Sequence, residues 1–380
     1  MEHLIPEVNG PFCRISWEPI NLNSSDQVKV YLLSKGWVPT TWNYKKEGKR
    51  NLKDDSGNLI KTSPKLTEDS FDSVQGDIPK LIARRNVLIH RERLIKNTRK
   101  DDEEVGWLNL LRDDGRLEAR GIPNATNTGR YRHSIVVNVP NPFAVYGHDI
   151  RSLFIAKSGY SLVGVDASAL EARVQAHYIY PFKGGKELAD LLINGDIHTE
   201  NKELWGMAER NDAKSPYYAL MYGALPPKLA ETMGCSLQEA KERYEMFWNR
   251  YLPLAQFRDT IQTVWEQRGG KKNGFLKGLD GRKLFARSPH ALVNMMFQSA
   301  GSVVVKLATV LTDKWCEQNM LDSHQVIHMH DEFQRETIDH HVYAVKELAC
   351  KAFPTAGQYF QMNVPIIGEA KSGKNWAETH

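Results

Sequence analysis

The feature that most constrains this chain is a pair of carboxylates, each closing an apolar run. Leu162-Val163-Gly164-Val165 leads into Asp166, and Val326-Ile327-His328-Met329-His330 leads into Asp331 and Glu332. Runs of this kind predict strands entering a core, which leaves both acids at the core's edge. Hard divalent cations prefer oxygen ligands, and Mg²⁺ commonly takes one or two carboxylates, with water and phosphate completing its shell. Two such ions about 4 Å apart can activate a nucleophile and stabilise a departing oxygen in phosphoryl transfer. Taken singly, a helix cap and a turn residue explain Asp166 and Asp331 equally well, so their neighbours carry the argument. Glu332 follows Asp331 directly and in a regular strand would face the opposite side. At a hairpin tip that alternation relaxes, so Glu332 is kept as an auxiliary acid.

The chain has 380 residues, enough for two or three domains. A net charge of +4 says little by itself, but the charge is unevenly placed. Between Ile78 and Lys100 eight Lys or Arg residues face one acid, Glu92. Four scattered cysteines (Cys13, Cys235, Cys316, Cys350) form no CxxC pair. Neither a disulfide framework nor a zinc site is therefore expected. The start Met1-Glu2-His3 lacks a signal-peptide pattern. The most apolar stretch, around Ser302–Leu311, is broken by Lys306. No membrane association is expected, and a cytoplasmic setting is.

Residues 78–98 space their apolar side chains (Leu81, Ile82, Val87, Leu88, Ile89, Leu94, Ile95) as a long helix with a basic outer face. That face also fits a merely solvated surface. A helix is expected after Asn23-Ser24-Ser25-Asp26, and a Gly/Pro/Asn-rich loop over 121–142. Strand is predicted for Tyr160–Val165, then helix from about Ala169 to Tyr178, with helices dominating about 186–268. A Gly/Lys-rich turn over 269–277 precedes a helix from about Pro289 to Gln318. A hairpin around Asp331 and a helix from about His340 to Phe353 close the chain. Strands flanking a helical insertion give an α+β architecture with a mostly antiparallel sheet.

Arg210, Lys214, Tyr218 and Tyr222 recur at every fourth position. On one helix they form a broad stripe roughly 18 Å long, two cations to hold phosphates and two aromatics to stack on a base. Ser215-Pro216 leaves two readings open. Either the helix begins there, or it kinks there. Asn294 and Gln298 share a helix face and suit the minor-groove acceptors common to all correct base pairs, though they suit internal hydrogen bonds equally well. Arg282, Lys283 and Arg287 precede them as candidate phosphate contacts.

Taken together these segments resemble family A (Pol I-like) DNA polymerases, the phage branch especially, over nearly the whole chain. D-A-S-A-L-E-A-R (166–173) resembles motif A, R-N-D-A-K-S-P-Y-Y-A-L-M-Y-G (210–223) motif B and H-D-E (330–332) motif C. Supporting likenesses are T-G-R (128–130), N-V-P (138–140), G-D-I-H-T (195–199), G-L-D-G-R (278–282), N-M-M-F-Q-S-A-G (294–301) and N-W-A-E-T-H (375–380). N-L-N-S-S (21–25) and G-W-V-P-T (36–40) resemble the start of a phage-type thumb.

The resemblance implies a right-hand fold with a thumb (1–120), a palm (121–180 and 289–380) and helical fingers (181–288). It implies that Asp166, Asp331 and the carbonyl of Ala167 hold two Mg²⁺ ions, with Mn²⁺ as a substitute. It places Arg210, Lys214 and His198 on the triphosphate of a deoxynucleotide, with Lys214 as proton donor to pyrophosphate. Tyr218 would pack on the nucleoside, and Tyr222 would sit where template and new pair meet. Glu171 would stand against the sugar 2′ position. Arg130, Asn294 and Gln298 would inspect the minor groove of primer-template DNA, with His330 near the primer terminus. His380 also matches, with a secondary role.

Nothing precedes the thumb-like start, so a 3′→5′ exonuclease is expected outside this chain, as a separate protein, as a part deleted from a longer one, or not at all. No room remains for the thioredoxin-binding loop of some phage relatives, so low processivity or another processivity factor is expected. Three rival readings are a single-subunit RNA polymerase or primase-like enzyme, a metal-dependent nuclease, and an inactive DNA-binding remnant. Glu171 speaks against the first, the Arg210–Tyr222 stripe against the second, and retention of both Asp residues with Lys214 against the third.

Overall fold

The computed structural model describes residues 19–48, 50–52, 54, 59–97 and 104–380. Cys13 and the last three residues of the basic segment, 98–100, lie outside them. The chain divides into two compact units, Met1–Asn109 and Leu110–His380.

In the first unit, Ser24 caps the helix Ser25–Ser34 by accepting from the Gln27 amide. Val28 and Leu32 of that helix pack with Trp37, Val74, Ile82 and Ala83. A two-stranded ribbon pairs Trp42–Tyr44 with Lys61–Pro64. The basic helix runs Asp77–Ile95 and buries Pro79, Ile82, Ala83 and Val87. Two of its expected core residues are instead exposed, Leu81 at 64% and Leu88 at 47%. They stand seven positions apart and share one side of the helix, opposite the face that Ile82, Ala83 and Val87 bury.

The second unit is built on an antiparallel sheet. Its strands are β1 (Tyr160–Ala167), β2 (Ser323–Met329), β3 (Glu332–Ile338) and β4 (Gly368–Gly373), in the order β2-β3-β1-β4. The α+β expectation holds. Strand alternation sorts the two faces. Val163, Val165 and Ala167 pack with Phe333 and the long helices, whereas Leu162 packs with Val136, Ile327 and Trp376 on the other side. The second face also carries Gly164, where a Cβ would lie 2.4 Å from the Gln334 amide and 2.6 Å from Thr379. Only glycine leaves room there for the C-terminal turn.

Behind β1 lies α1 (Leu170–Ile179), followed by Gly185–Asn194, α2 (Ile197–Trp205) and α3 (Arg210–Met221). Three further helices follow, Pro226–Met233, Leu237–Arg250 and Leu252–Gln267. The expected turn over 269–277 holds more order than its composition suggests. A short helix (Gly270–Asn273) leads into the strand Phe275–Lys277, which pairs with Lys283–Phe285. Two long helices, α4 (Leu292–Gln318) and α5 (Val342–Tyr359), back the sheet.

By length and composition alone the helix through α4 could cross a membrane, contrary to the sequence reading, which took Lys306 to break the run. In the fold 72% of that window is buried, which marks the central core helix. It joins the core of the helical half to the core behind the sheet through Leu292–Ala300 and Val304–Ala308. The reading of Ser215-Pro216 as a helix start is also corrected. Helix α3 begins at Arg210 and continues through a buried Pro216, with Ala213, Tyr217, Leu220 and Met221 packed against the core. That apolar face outweighs the hydrogen bond proline removes.

Candidate active site

Both acidic segments end in strained turns. Ala169, just past β1, has φ 48°, and His330, between β2 and β3, has φ 54°. Side-chain-bearing residues seldom occupy this left-handed region, and such strain persists where surrounding structure over-determines it. Asp331 lies in the β2–β3 turn, and its carbonyl accepts from the Ala167 amide at 3.2 Å. That bond joins the two turns at one end of the sheet.

Asp166 is paired in register with Glu332 on β3 and Glu369 on β4. Directly opposed residues share a sheet face, so Asp166 and Glu332 stand side by side. Burial, then the charges of Asp331 and Glu332, push the Asp166 carboxyl up to about 7. Asp166 itself is open to solvent, so the crowding comes from protein mass and like charge around its base.

Glu332 is buried and committed. Its Oε1 accepts from Trp376 Nε1 at 2.7 Å and from Gln334 Nε2 at 2.6 Å, and its Oε2 lies 3.0 Å from His380 Nε2. Burial alone would raise its carboxyl; His380, Gln334 and Trp376 outweigh burial and hold it below the usual range. Arg151 stacks 4.4 Å over Trp376, contacts His380 Nε2 and places Nη1 4.0 Å from Glu332. No reading of the sequence singled out Arg151. Its only signal was position, shortly after N-V-P, whose Pro140 carbonyl accepts from Arg151 Nε at 2.8 Å.

A second group forms around α2 and α3. His198 is buried, 5.3 Å edge-on from the Tyr217 ring and 5.7 Å from that of Tyr218. Burial, then Arg210, with Lys214 contributing, lowers its pKa. Arg210 is held by Asp196 through Nε–Oδ2 at 2.5 Å and Nη2–Oδ1 at 3.0 Å. Lys214 is exposed one turn further along. Tyr218 and Tyr222 stack at 6.3 Å.

The two groups meet where Tyr222 and Glu171, the acid in the first turn of α1, lie close enough to act on each other's titration. Burial raises the Glu171 carboxyl against Arg130 and Tyr222, which lower it. Arg130 acts through its charge on Glu171, Tyr222 and His330 alike. Its loop is pinned from α4: Ser302 Oγ donates to the Gly129 carbonyl at 2.9 Å, and Lys306 donates to Asn124 at 2.8 Å.

Arg282 turns inward. Its guanidinium donates to Asn124, the Thr128 carbonyl and Ser299 at 3.2–3.3 Å, and pairs with Asp280 at 3.1 Å. Arg287 and Asn294 line a separate cavity of about 660 Å³ with Lys271, Lys272 and Asn127. The Asn294 Oδ1 is buried there without a partner among the described residues. Gln298 sits one turn along α4, half-buried. Cys235, Cys316 and Cys350 are free thiols.

A family model described as DNA polymerase family A matches residues 5–378. The chain belongs to that family. Among family A relatives, the DNA-directed DNA polymerases of Enterobacteria phage T3 and Escherichia phage T7 are each 28% identical over 98% of this chain and 54% of their own length. The thermostable DNA polymerase I of Thermus thermophilus is 26% identical over 96% of this chain and 42% of its own. The chain thus spans about half the length of its phage relatives. Among solved structures, the POL domain of Pol1 from M. smegmatis, in complex with DNA primer-template and dNTP, matches with a TM-score of 0.70. That match is 20% identical and covers 95% of this chain and 62% of the other. It shows that the fold is that of a family A polymerase domain.

Proposed function

We propose that this chain is a template-directed DNA polymerase that extends a primer 3′-hydroxyl with deoxynucleotides and releases pyrophosphate. The observation that carries the reading is the electrostatic coupling of Glu171, by the acidic end of the sheet, with Tyr222, at the end of the cation–aromatic face of α3. A nuclease needs the acids alone, whereas polymerisation needs both halves in one site. No proofreading activity is assigned to these residues.

Asp166, Asp331 and the Ala167 carbonyl would hold two Mg²⁺ ions, or Mn²⁺ in their place. The donors fit. They are oxygens, and the Asp166 carboxyl is raised first by burial and then by the charges of Asp331 and Glu332, both of which a bound cation would relieve. Bound ions would lower the pKa of the primer hydroxyl and neutralise charge on the triphosphate and departing pyrophosphate.

Arg210, Lys214 and His198 bind the triphosphate, and Lys214, exposed and positively charged, donates a proton to the leaving pyrophosphate. Tyr218 packs on the nucleoside. Tyr222 marks the template boundary, and Glu171, beside it, excludes a 2′-hydroxyl. Arg130, Asn294, Gln298 and His330 read the primer end of the duplex, and Arg287 meets backbone phosphate. Arg282 serves that surface by bracing the loop that carries Arg130. Glu332, fully engaged by Trp376, Gln334 and His380, acts as a fixed charge behind Asp166 rather than as a ligand. A cytoplasmic setting follows from this reading, the host's if the chain is phage-encoded.

The test is primer extension with Mg²⁺ and each nucleotide type. Deoxynucleotide-dependent extension is expected, and Asp331→Ala should reduce it by about 10³-fold or more. Shortening of DNA without nucleotide would replace polymerase by nuclease.

A further inference from the structure

Asp196 is placed to do more than cap a helix. Its Oδ1 accepts from the amides of His198 and Thr199 at 3.1 and 3.3 Å, and its Oδ2 accepts from Thr199 Oγ1 at 2.7 Å. The same carboxylate takes the Nε–Nη2 edge of Arg210 as a bidentate pair. It therefore ties the N-terminus of α2 to the first residue of α3. A guanidinium has five N–H donors in a rigid plane. With one edge taken by Asp196, Nη1 and the outer N–H of Nη2 point the other way, as a second fork suited to a phosphate.

We infer that Asp196 is a positioning residue for the incoming triphosphate: it locks the Arg210 fork so that its outer edge is presented, pre-aimed, beside His198 and Lys214. This rests on the polymerase reading for the identity of the triphosphate's owner. The ion pair is partly exposed, with side chains 48% and 38% accessible, so its value for overall stability is small. Its effect falls on orientation. An unpaired arginine at the start of a helix samples many rotamers, and binding must then order it.

Asp196→Asn keeps the capping oxygen, since asparagine caps as well as aspartate, and removes the charge. Half-maximal incorporation should then need roughly tenfold more deoxynucleotide, the worth of one charge-assisted hydrogen bond, with kcat changed less than about twofold. In an Arg210→Ala background the same substitution should change almost nothing. Calorimetry with inorganic tripolyphosphate on the same four proteins should show the same dependence of Asp196 on Arg210, without catalysis. An equal effect in both backgrounds would make Asp196 a structural cap only. Tighter nucleotide binding by Asp196→Asn would make it a competitor for Arg210, and either result overturns the inference. Failure of the unsubstituted chain to extend any primer would instead strike the polymerase reading, leaving the tripolyphosphate comparison to decide Asp196 alone.

Discussion

His328 should make this protein lose stability in mild acid. It is 6% exposed, 4.3 Å from the Tyr131 ring, and neither ring nitrogen has a hydrogen-bond partner among the described residues. Burial first, then the charges of Lys306, His133 and His330, lower its pKa from 6.5 to about 4. Below the ordinary value the unfolded chain binds a proton that the folded chain refuses. Stability from this residue is thus fully present above about pH 6.5, is lost as pH falls, and is gone below about pH 4. Between pH 7 and pH 5 the loss comes to about 2 kcal/mol, and the full loss to about 3 kcal/mol. His328→Leu removes the titration and fills the same apolar slot beside Tyr131. Urea unfolding followed by tryptophan fluorescence, at pH 7 and pH 5, should show the substituted protein losing about 2 kcal/mol less than the parent. The remaining histidines titrate in both proteins and cancel in the difference. Parallel losses would mean that His328 reaches solvent or a partner on protonation, and the burial argument would fail.

Replacing Glu171 by alanine removes the carboxylate beside Tyr222 and opens the space beside α1. Discrimination against ribonucleotides should fall roughly tenfold or more while primer-template affinity, measured by fluorescence anisotropy, stays nearly constant; unchanged discrimination would remove Glu171 from the gate. Gly129→Ala sets a Cβ 2.2 Å from the Arg282 guanidinium at a φ of +78°. Gly281→Ala has the same φ with nothing within 4 Å. Thermal melts should place Gly129→Ala about 1–3 kcal/mol below Gly281→Ala, and equal melting would show that Arg282 swings away freely.

The sequence alone carried the α+β class, the acidic strand ends and the cation–aromatic spacing, because each rests on a local period. Strand alternation put Val163, Val165 and Ala167 on one face. The fourfold repeat put Arg210, Lys214 and Tyr218 on one helix. The family, too, was legible, since its motifs are short contiguous runs. Local reading failed where neighbours decide the outcome. Pro216 signals a helix start by itself, yet Tyr217 and Leu220 packing carries the helix through it. Leu81 and Leu88 fit a helical pattern without saying which stripe meets a partner. Arg282 and Arg287 look alike in a basic run, but only Arg282 finds Asn124, Thr128 and Ser299 within reach. The union of Glu332 with Arg151, Trp376 and His380, and of Asp196 with Arg210, came from tertiary structure alone. A charged side chain's role depends on which opposite charge lies within about 4 Å, and that distance is set by the packing of segments far apart along the chain.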